Sequence, residues 1–212
     1  IDCIDHEHPD LVCLQEVDRL VPRSDFDDQP RLLGQSLNLQ STFQANVPVS
    51  NGTYGNLVLS RWAVGSTHRI SLKRGIRKSR GAQLIHVDTP EGALHLVNTH
   101  LGLDERERHW QIDFLLDHEL FQSSSVIPTF IAGDFNDWRN TLAEQSLANH
   151  GFQQVTSPPS DYRSFPSWLP VGGLDKVFVR GEVTTERVNV VRTSLARVAR
   201  DHLPVVVDFS LK

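Results

Sequence analysis

Methionine is absent from all 212 residues, and only two cysteines and two tyrosines occur. The missing initiator, together with an opening Ile1-Asp2-Cys3-Ile4-Asp5 that reads as the tail of an amphipathic helix, sets an expectation that the natural chain is longer. Roughly 20–40 further residues before Ile1 would supply a strand, a connection and the start of that helix. Cys3 and Cys13 have neither metal-site spacing nor a Cys/His zinc pattern, and they read as a packed, reduced pair rather than a disulfide. Of compartments the cytoplasm is favoured, although the lack of a leader says nothing on that point. No apolar run approaches the ~20 residues of a membrane span. Positive charge is also scarce: the formal net charge of −5 weighs against a broad basic face that would hold nucleic acid by counterion release, while leaving room for a local positive groove.

What remains is an ordinary globular composition, 39% hydrophobic and 22% charged, and a length that suits one domain over residues 1–212. The first helix is stopped by His8-Pro9, since the residue before proline is pushed out of the helical region. Leu11-Val12-Cys13-Leu14 then predicts a buried strand that delivers Gln15-Glu16 at its end. A helix is expected over 28–38, with Leu32, Leu33 and Leu37 on one face. Strands are expected near 41–47, 54–62, 66–72, 81–88 and 93–100, with hairpin signals at Asn51-Gly52 and Pro90-Glu91-Gly92. The spacing of Trp110, Phe114, Leu115 and Phe121 predicts an amphipathic helix over 104–121. A strand at 130–132, a helix at 139–149 and strands near 174–180, 183–192 and 204–211 complete the chain. Hairpins mixed with helical crossovers point to an α/β fold of two packed mixed β-sheets with helices outside.

Polar chemistry gathers at strand ends: Gln15-Glu16, Asn98-Thr99-His100, Asp134-Phe135-Asn136 and Asp201-His202. Singly these are weak signals. A histidine after a strand is more often a satisfied structural group, and Asp-Phe-Asn is more often a turn or a helix cap. Four such ends in one chain say more, because a buried carboxylate or imidazole is costly unless it is paired or bound to metal. Glu7 and His8, beside Pro9, read as surface.

The order of the motifs adds the rest. Gln15-Glu16-Val17, Tyr54-Gly55-Asn56 with Leu59-Ser60-Arg61, Asn98-Thr99-His100-Leu101, Gly133-Asp134-Phe135-Asn136, Leu174-Asp175-Lys176-Val177-Phe178 and Asp201-His202-Leu203-Pro204 resemble the ordered motifs of the endonuclease/exonuclease/phosphatase (deoxyribonuclease-I-like) family. The likeness runs from about residue 9 to the C-terminus, and Ser164-Phe165-Pro166-Ser167 is similar to its compact bacterial members. The resemblance implies a four-layer sandwich and a divalent cation, Mg²⁺ or Mn²⁺, held by Glu16, with Asp201 joining directly or through water. A hard cation suits carboxylate oxygen. It further implies that His202 meets the phosphate as general base or donor and that Asp175 fixes the His202 tautomer. Asp134 would orient or deprotonate water, and Asn136 and His100 would bond the phosphoryl oxygens. The family's first strand, with its metal-site Asn, has no counterpart before Ile1, and Arg200 stands where Ser is common.

The reading is a metal-dependent phosphoester hydrolase, a phosphodiesterase or nuclease in first place, acting as a monomer. Its substrate would be nucleic acid, a phospholipid head group or a small phosphoester. The other class is a catalytically inactive fold-mate that binds phosphoesters or a partner. The basic run Lys73-Arg74-Gly75-Ile76-Arg77-Lys78-Ser79-Arg80 is either a polyanion-steering loop, with Arg80 on the substrate, or a solvated one. Trp138 and Trp168 either flank the cleft, where they could stack on a base or sugar, or pack in the core.

Overall fold

The computed structural model describes residues 1–124 and 126–212. In chain order the elements are α1 (Asp2–Glu7), β1 (Leu11–Arg19), α2 (Gln29–Leu37), β2 (Gln40–Val49), β3 (Gly52–Ser60), β4 (Val64–Ser71), β5 (Gly81–Thr89), β6 (Gly92–His100), α3 (Glu105–Asp117), α4 (Glu119–Gln122), β7 (Thr129–Asp134), α5 (Thr141–Glu144), α6 (Ser146–Asn149), β8 (Gln153–Gln154), β9 (Asp175–Arg180), β10 (Val183–Val190), α7 (Ser194–Ala199) and β11 (Val205–Leu211).

A six-stranded sheet ordered β4-β5-β6-β7-β9-β8 is mixed: β6 and β7 run parallel and its other neighbours run antiparallel. Facing it lie two antiparallel pieces, β1-β3-β2 and β10-β11. Side chains from both sides meet between them, Ile85, Leu94, Leu96 and Phe130 against Val58, Cys13 and Phe209. The outer face of the large sheet is covered by Ile112, Leu115, Leu116, Phe121, Leu142 and Leu147. Leu33 and Leu37 cover β1 and β3, while Cys3 and Ala196 cover β10 and β11. These are the four layers of the expected sandwich. The second β layer, however, is two antiparallel sheets and not one mixed sheet. Strands covered on both faces read as unbroken apolar runs, as Leu57-Val58-Leu59 does.

Both cysteines are free thiols, as expected, and burial pushes Cys13 up to about 12. Among the described residues no helix is long and apolar enough to cross a membrane. Helix α2 matches its predicted span: the Asp28 carboxylate accepts Arg31 N–H at 3.2 Å, and Asn38 closes the helix in the left-handed region.

Two expected helices are broken. The span 104–121 divides at His118, whose backbone is extended and whose ring accepts Leu120 N–H. Within α3 the buried stripe is Glu107, Arg108, Gln111, Ile112, Leu115 and Leu116. Trp110 and Phe114 instead stack on each other outside it, centroids 5.1 Å apart. The expected helix at 139–149 is two single turns. Leu142 and Leu147 are both fully buried, and residues five apart cannot share one face of a continuous helix, so the chain kinks between them.

Candidate active site

Strand pairing alone assembles a row of polar side chains at one edge of the large sheet. Gly81 is opposite His100, His100 opposite Asp134, and Asp134 opposite Asp175. Arg80 enters just before Gly81, and His202 arrives from the loop before β11, so five side chains line up as Arg80, His100, Asp134, Asp175 and His202.

The hydrogen bonds fix their protons. A guanidinium only donates, so Arg80 Nη1, 3.1 Å from His100 Nδ1, makes that nitrogen an acceptor. His100 therefore carries its proton on Nε2, which lies 3.4 Å from Asp134 Oδ2. Burial, with Arg80 and Lys78 beside it, pushes the His100 pKa far down, so this ring is neutral. At the other end His202 Nδ1 lies 2.8 Å from Asp175 Oδ2, and its Nε2 stands 4.0 Å from Asp134 Oδ2. Burial works against a charged His202, but the bond to Asp175 and the charges of Asp175, Asp134 and Asp201 outweigh it and hold His202 at about 9. Asp134, flanked by both imidazoles, is raised well above the usual carboxylate range by burial first and by the Asp175 charge second.

Asn136 adopts φ 50, giving its N–H to Asp134 Oδ1 at 2.9 Å and its Nδ2 to Leu101 O at 3.0 Å. Among the described residues its other side-chain N–H and its Oδ1 make no hydrogen bond and are available to a ligand. Trp138 is 57% exposed and stands edge-on to Phe165, which packs 4.8 Å from His202. Trp168, 71% exposed, is likewise outside the core. Core packing, one of the two readings for these tryptophans, holds for neither side chain.

Glu16 occupies a bulge. The register of β1 on β3 steps from Leu14–Leu57 to Val17–Gly55, so Gln15 and Glu16 share one opposing residue, Asn56. Glu16 has φ 55, a left-handed conformation costly for a non-glycine and characteristic of functional outliers. The bulge is braced from the large sheet: Gln15 Nε2 donates to Asn98 Oδ1 at 2.8 Å, and Asn98 Nδ2 donates to Leu14 O and Leu57 O at 3.0 Å each. The Glu16 carboxylate thereby stands beside Lys78 Nζ (3.4 Å), Arg80 Nη1 (3.8 Å) and His100 Nδ1 (4.0 Å).

No group of three or more His, Cys, Asp or Glu side chains is arranged to hold a metal among the described residues, which does not fit a closed protein cage. The donor chemistry does fit a largely hydrated hard cation, which takes one or two carboxylates and fills the rest with water and substrate oxygen. Glu16, 46% exposed, is the residue whose carboxylate could hold such an ion. Asp201 is exposed and makes no side-chain hydrogen bond or ion pair among the described residues, reaching the cluster only through its charge on His202.

A family model described as the Endonuclease/Exonuclease/phosphatase family matches residues 1–210. The chain belongs to that family. Its relatives include YbhP of Escherichia coli K12, described as uncharacterized, 27% identical over 95% of this chain and 83% of its own length. The endonuclease/exonuclease/phosphatase structure from Beutenbergia cavernae superposes with TM-score 0.82 at 24% identity, covering 99% of this chain, which spans 64% of that one. The mannosyl-6-phosphatase Bt3783 of Bacteroides thetaiotaomicron has the same fold at TM-score 0.75 and 14% identity, over 99% of this chain and 88% of its own. Members of the family are phosphoesterases, generally hydrolytic.

Sequence reasoning left three site neighbours without a role. Ser164 hydrogen-bonds Asp175 Oδ2 through its hydroxyl. Lys78 was one of a basic run with nothing to single it out, and Arg23 lies in a short 3₁₀ turn after β1 with no motif around it.

Proposed function

We propose that this chain is a divalent-metal-dependent phosphodiesterase of the nuclease type, in which water attacks phosphorus across the row from Arg80 to His202. The observation that carries this reading is the pairing of two imidazoles with two carboxylates on adjacent strands, His100 with Asp134 and His202 with Asp175, beside a lone carboxylate on a strained bulge.

A cation held by Glu16 would supply Lewis-acid stabilisation of charge on the phosphoryl oxygens. The residues supply the rest. Asp175 holds the His202 ring by Nδ1, so that Nε2–H faces the site as a donor to the developing negative charge. Of the two roles expected for His202, that of donor accords with a ring held in its protonated form. Asp134, raised and adjacent, is the group to orient water and take its proton. Arg80, whose side chain is 8% exposed, the amide of Asn136 and His100 Nε2–H would bond phosphoryl oxygens. Trp138 and Trp168 would form the apolar side of the cleft.

The test is a panel of plasmid DNA, single-stranded RNA, sphingomyelin and bis-p-nitrophenyl phosphate, each with Mg²⁺, with Mn²⁺ and with excess chelator. Turnover of at least one diester is expected, lost in chelator and in Glu16→Gln with the fold intact. Undiminished turnover in chelator would end this assignment.

A further inference from the structure

Two cations address one oxygen of the Glu16 carboxylate. Lys78 Nζ stands 3.4 Å from Oε1 and Arg80 Nη1 stands 3.8 Å from the same atom, while Oε2 makes no hydrogen bond or ion pair among the described residues. The two are not equally held. Arg80 is bound to His100 at 3.1 Å and its side chain is 8% exposed, so it is fixed in place. The Lys78 side chain is 52% exposed, and its only hydrogen bond among the described residues is to Glu16. Of the two cations Lys78 is the one free to leave.

The loop that carries Lys78 is braced on both sides of it. Leu72 N–H donates to Arg80 O at 2.9 Å and closes the base of the loop, and Arg77 N–H donates to Arg74 O at 3.1 Å at its turn. Arg74 Nη1 donates to Arg106 O at 2.9 Å, and Arg77 lies 3.6 Å from Asp104 and 3.5 Å from the buried Glu107. These arginines tie the loop to α3, and Lys78 is the side chain left to reach across to Glu16. The Tyr54 ring, buried beside it, offers Lys78 a second resting place, with Nζ 5.2 Å from its centre. A cation over an aromatic face is oriented without being neutralised.

A divalent ion on Glu16 would share that carboxylate with Lys78. One negative charge there already faces two positive ones, and like charges about 5–6 Å apart at a partly exposed site oppose each other appreciably. From this geometry we infer that Lys78 is a resident counter-ion of Glu16 that competes with the divalent ion and holds its affinity down, yielding the oxygen and resting on Tyr54 when the ion binds. The inference rests on the reading of Glu16 as the carboxylate of the cation and adds to it a weakly held, exchangeable ion.

Manganese binding tests this with no substrate present: free Mn²⁺ is measured by electron paramagnetic resonance against the wild type, Lys78→Gln, Lys78→Arg, Lys73→Gln and Glu16→Gln. Lys73 is the control, an exposed lysine of the same loop that pairs with no carboxylate among the described residues. In Lys78→Gln the Kd for Mn²⁺ should fall by about three- to tenfold, and that gain should shrink in about 0.5 M KCl, where charge is screened within a few ångströms. Lys78→Arg and Lys73→Gln should stay near the wild type. A Kd unchanged or weakened in Lys78→Gln, a gain matched by Lys73→Gln, or no binding in either the wild type or Lys78→Gln would overturn the competition. Glu16→Gln separates this from the reading beneath it: Mn²⁺ bound by that variant as tightly as by the wild type would take the ion off Glu16 altogether, whereas binding lost there but indifferent to Lys78 would remove the counter-ion role alone. Both lysines are exposed, so their variants keep the fold on which the comparison depends.

Discussion

His202 and Ser164 converge on one oxygen of Asp175: Nδ1 of the imidazole lies 2.8 Å from Oδ2, and the serine hydroxyl donates to the same atom. A carboxylate so engaged has little freedom to turn, and the ring it holds keeps Nε2 towards Asp134. In the reaction proposed above, Asp175 and His202 should therefore act as one unit. Asp175→Asn and His202→Ala should each lower kcat/KM by about 100-fold or more, and the double variant should lose little beyond the worse single one. Additive losses in that cycle would separate the two residues.

A buried network lies behind the row. Asp137 Oδ1 is 3.9 Å from Arg108 Nη2, and its Oδ2 accepts Leu142 N–H at 3.1 Å. Lys176 bonds Asn140 through Nζ, and burial brings its pKa down to about 8 in spite of the Asp137 charge. All three charged residues are at most 4% exposed. Two cations depend on one carboxylate here, so the two deletions are unequal. Asp137→Asn should cost about 3–5 kcal/mol by leaving buried positive charge uncompensated, whereas Lys176→Met should stay within about 1 kcal/mol. Urea unfolding of both variants measures this, and equal losses would contradict it.

Much of the candidate site was legible in the sequence because most of its polar side chains sit at strand ends, and strands announce themselves as apolar runs. Glu16, His100, Asp134 and His202 were named from such ends, whereas Asp175, which opens β9, came only with the family resemblance. Their side-by-side order was not legible, since it follows from register: His100 opposite Asp134 and Asp134 opposite Asp175. The left-handed bulge at Glu16 left no composition signal, for no glycine or asparagine marks it. Trp110 and Phe114 misled because the inner face of α3 is partly polar. Gln111 and Arg108 serve the backbone of Gly102 and Leu103 there, with Gln111 Oε1 accepting Gly102 N–H at 2.8 Å and Arg108 Nη1 donating to Leu103 O at 2.7 Å. Hydrophobic periodicity therefore marked Leu115 and Phe121, which are buried, together with Trp110 and Phe114, which lie off the inner face. Arg23 and Lys78 meet over the Tyr54 ring, a contact that no local pattern encodes.

Gly133, just before Asp134, has φ 144, and a Cβ there would come within 1.9 Å of Thr99 O. Gly133→Ala should force apart the parallel pair that sets His100 against Asp134, at a cost on the order of 3 kcal/mol or more. Gly75 also has a positive φ, 56, but a Cβ there meets nothing within 4 Å. Gly75→Ala should cost only about 1 kcal/mol. Similar denaturation midpoints for the two variants would refute the assigned clash.

The last expectation concerns acid. His95 is fully buried on the outer face of β6, with Nδ1 3.5 Å from Thr129 Oγ1 and its ring centroid 5.2 Å from that of His86 and 5.7 Å from that of Phe121. Burial first, and then the charges of His86, Arg180 and His68, bring its pKa down to about 3. In the unfolded chain the same group titrates near 6.5. The folded state therefore keeps His95 neutral where the unfolded state has taken up a proton. The stability this gives is whole above about pH 6.5 and is lost as pH falls towards 3, at up to about 1.4 kcal/mol per pH unit. In His95→Leu this slope should shrink by about one proton. The core should tolerate leucine there, because the Thr129 hydroxyl keeps its bond to Ile127 O at 3.1 Å. Urea unfolding at pH 7.5, 6 and 5 compares the two slopes, and a variant as acid-sensitive as the wild type would place the liable proton on another group.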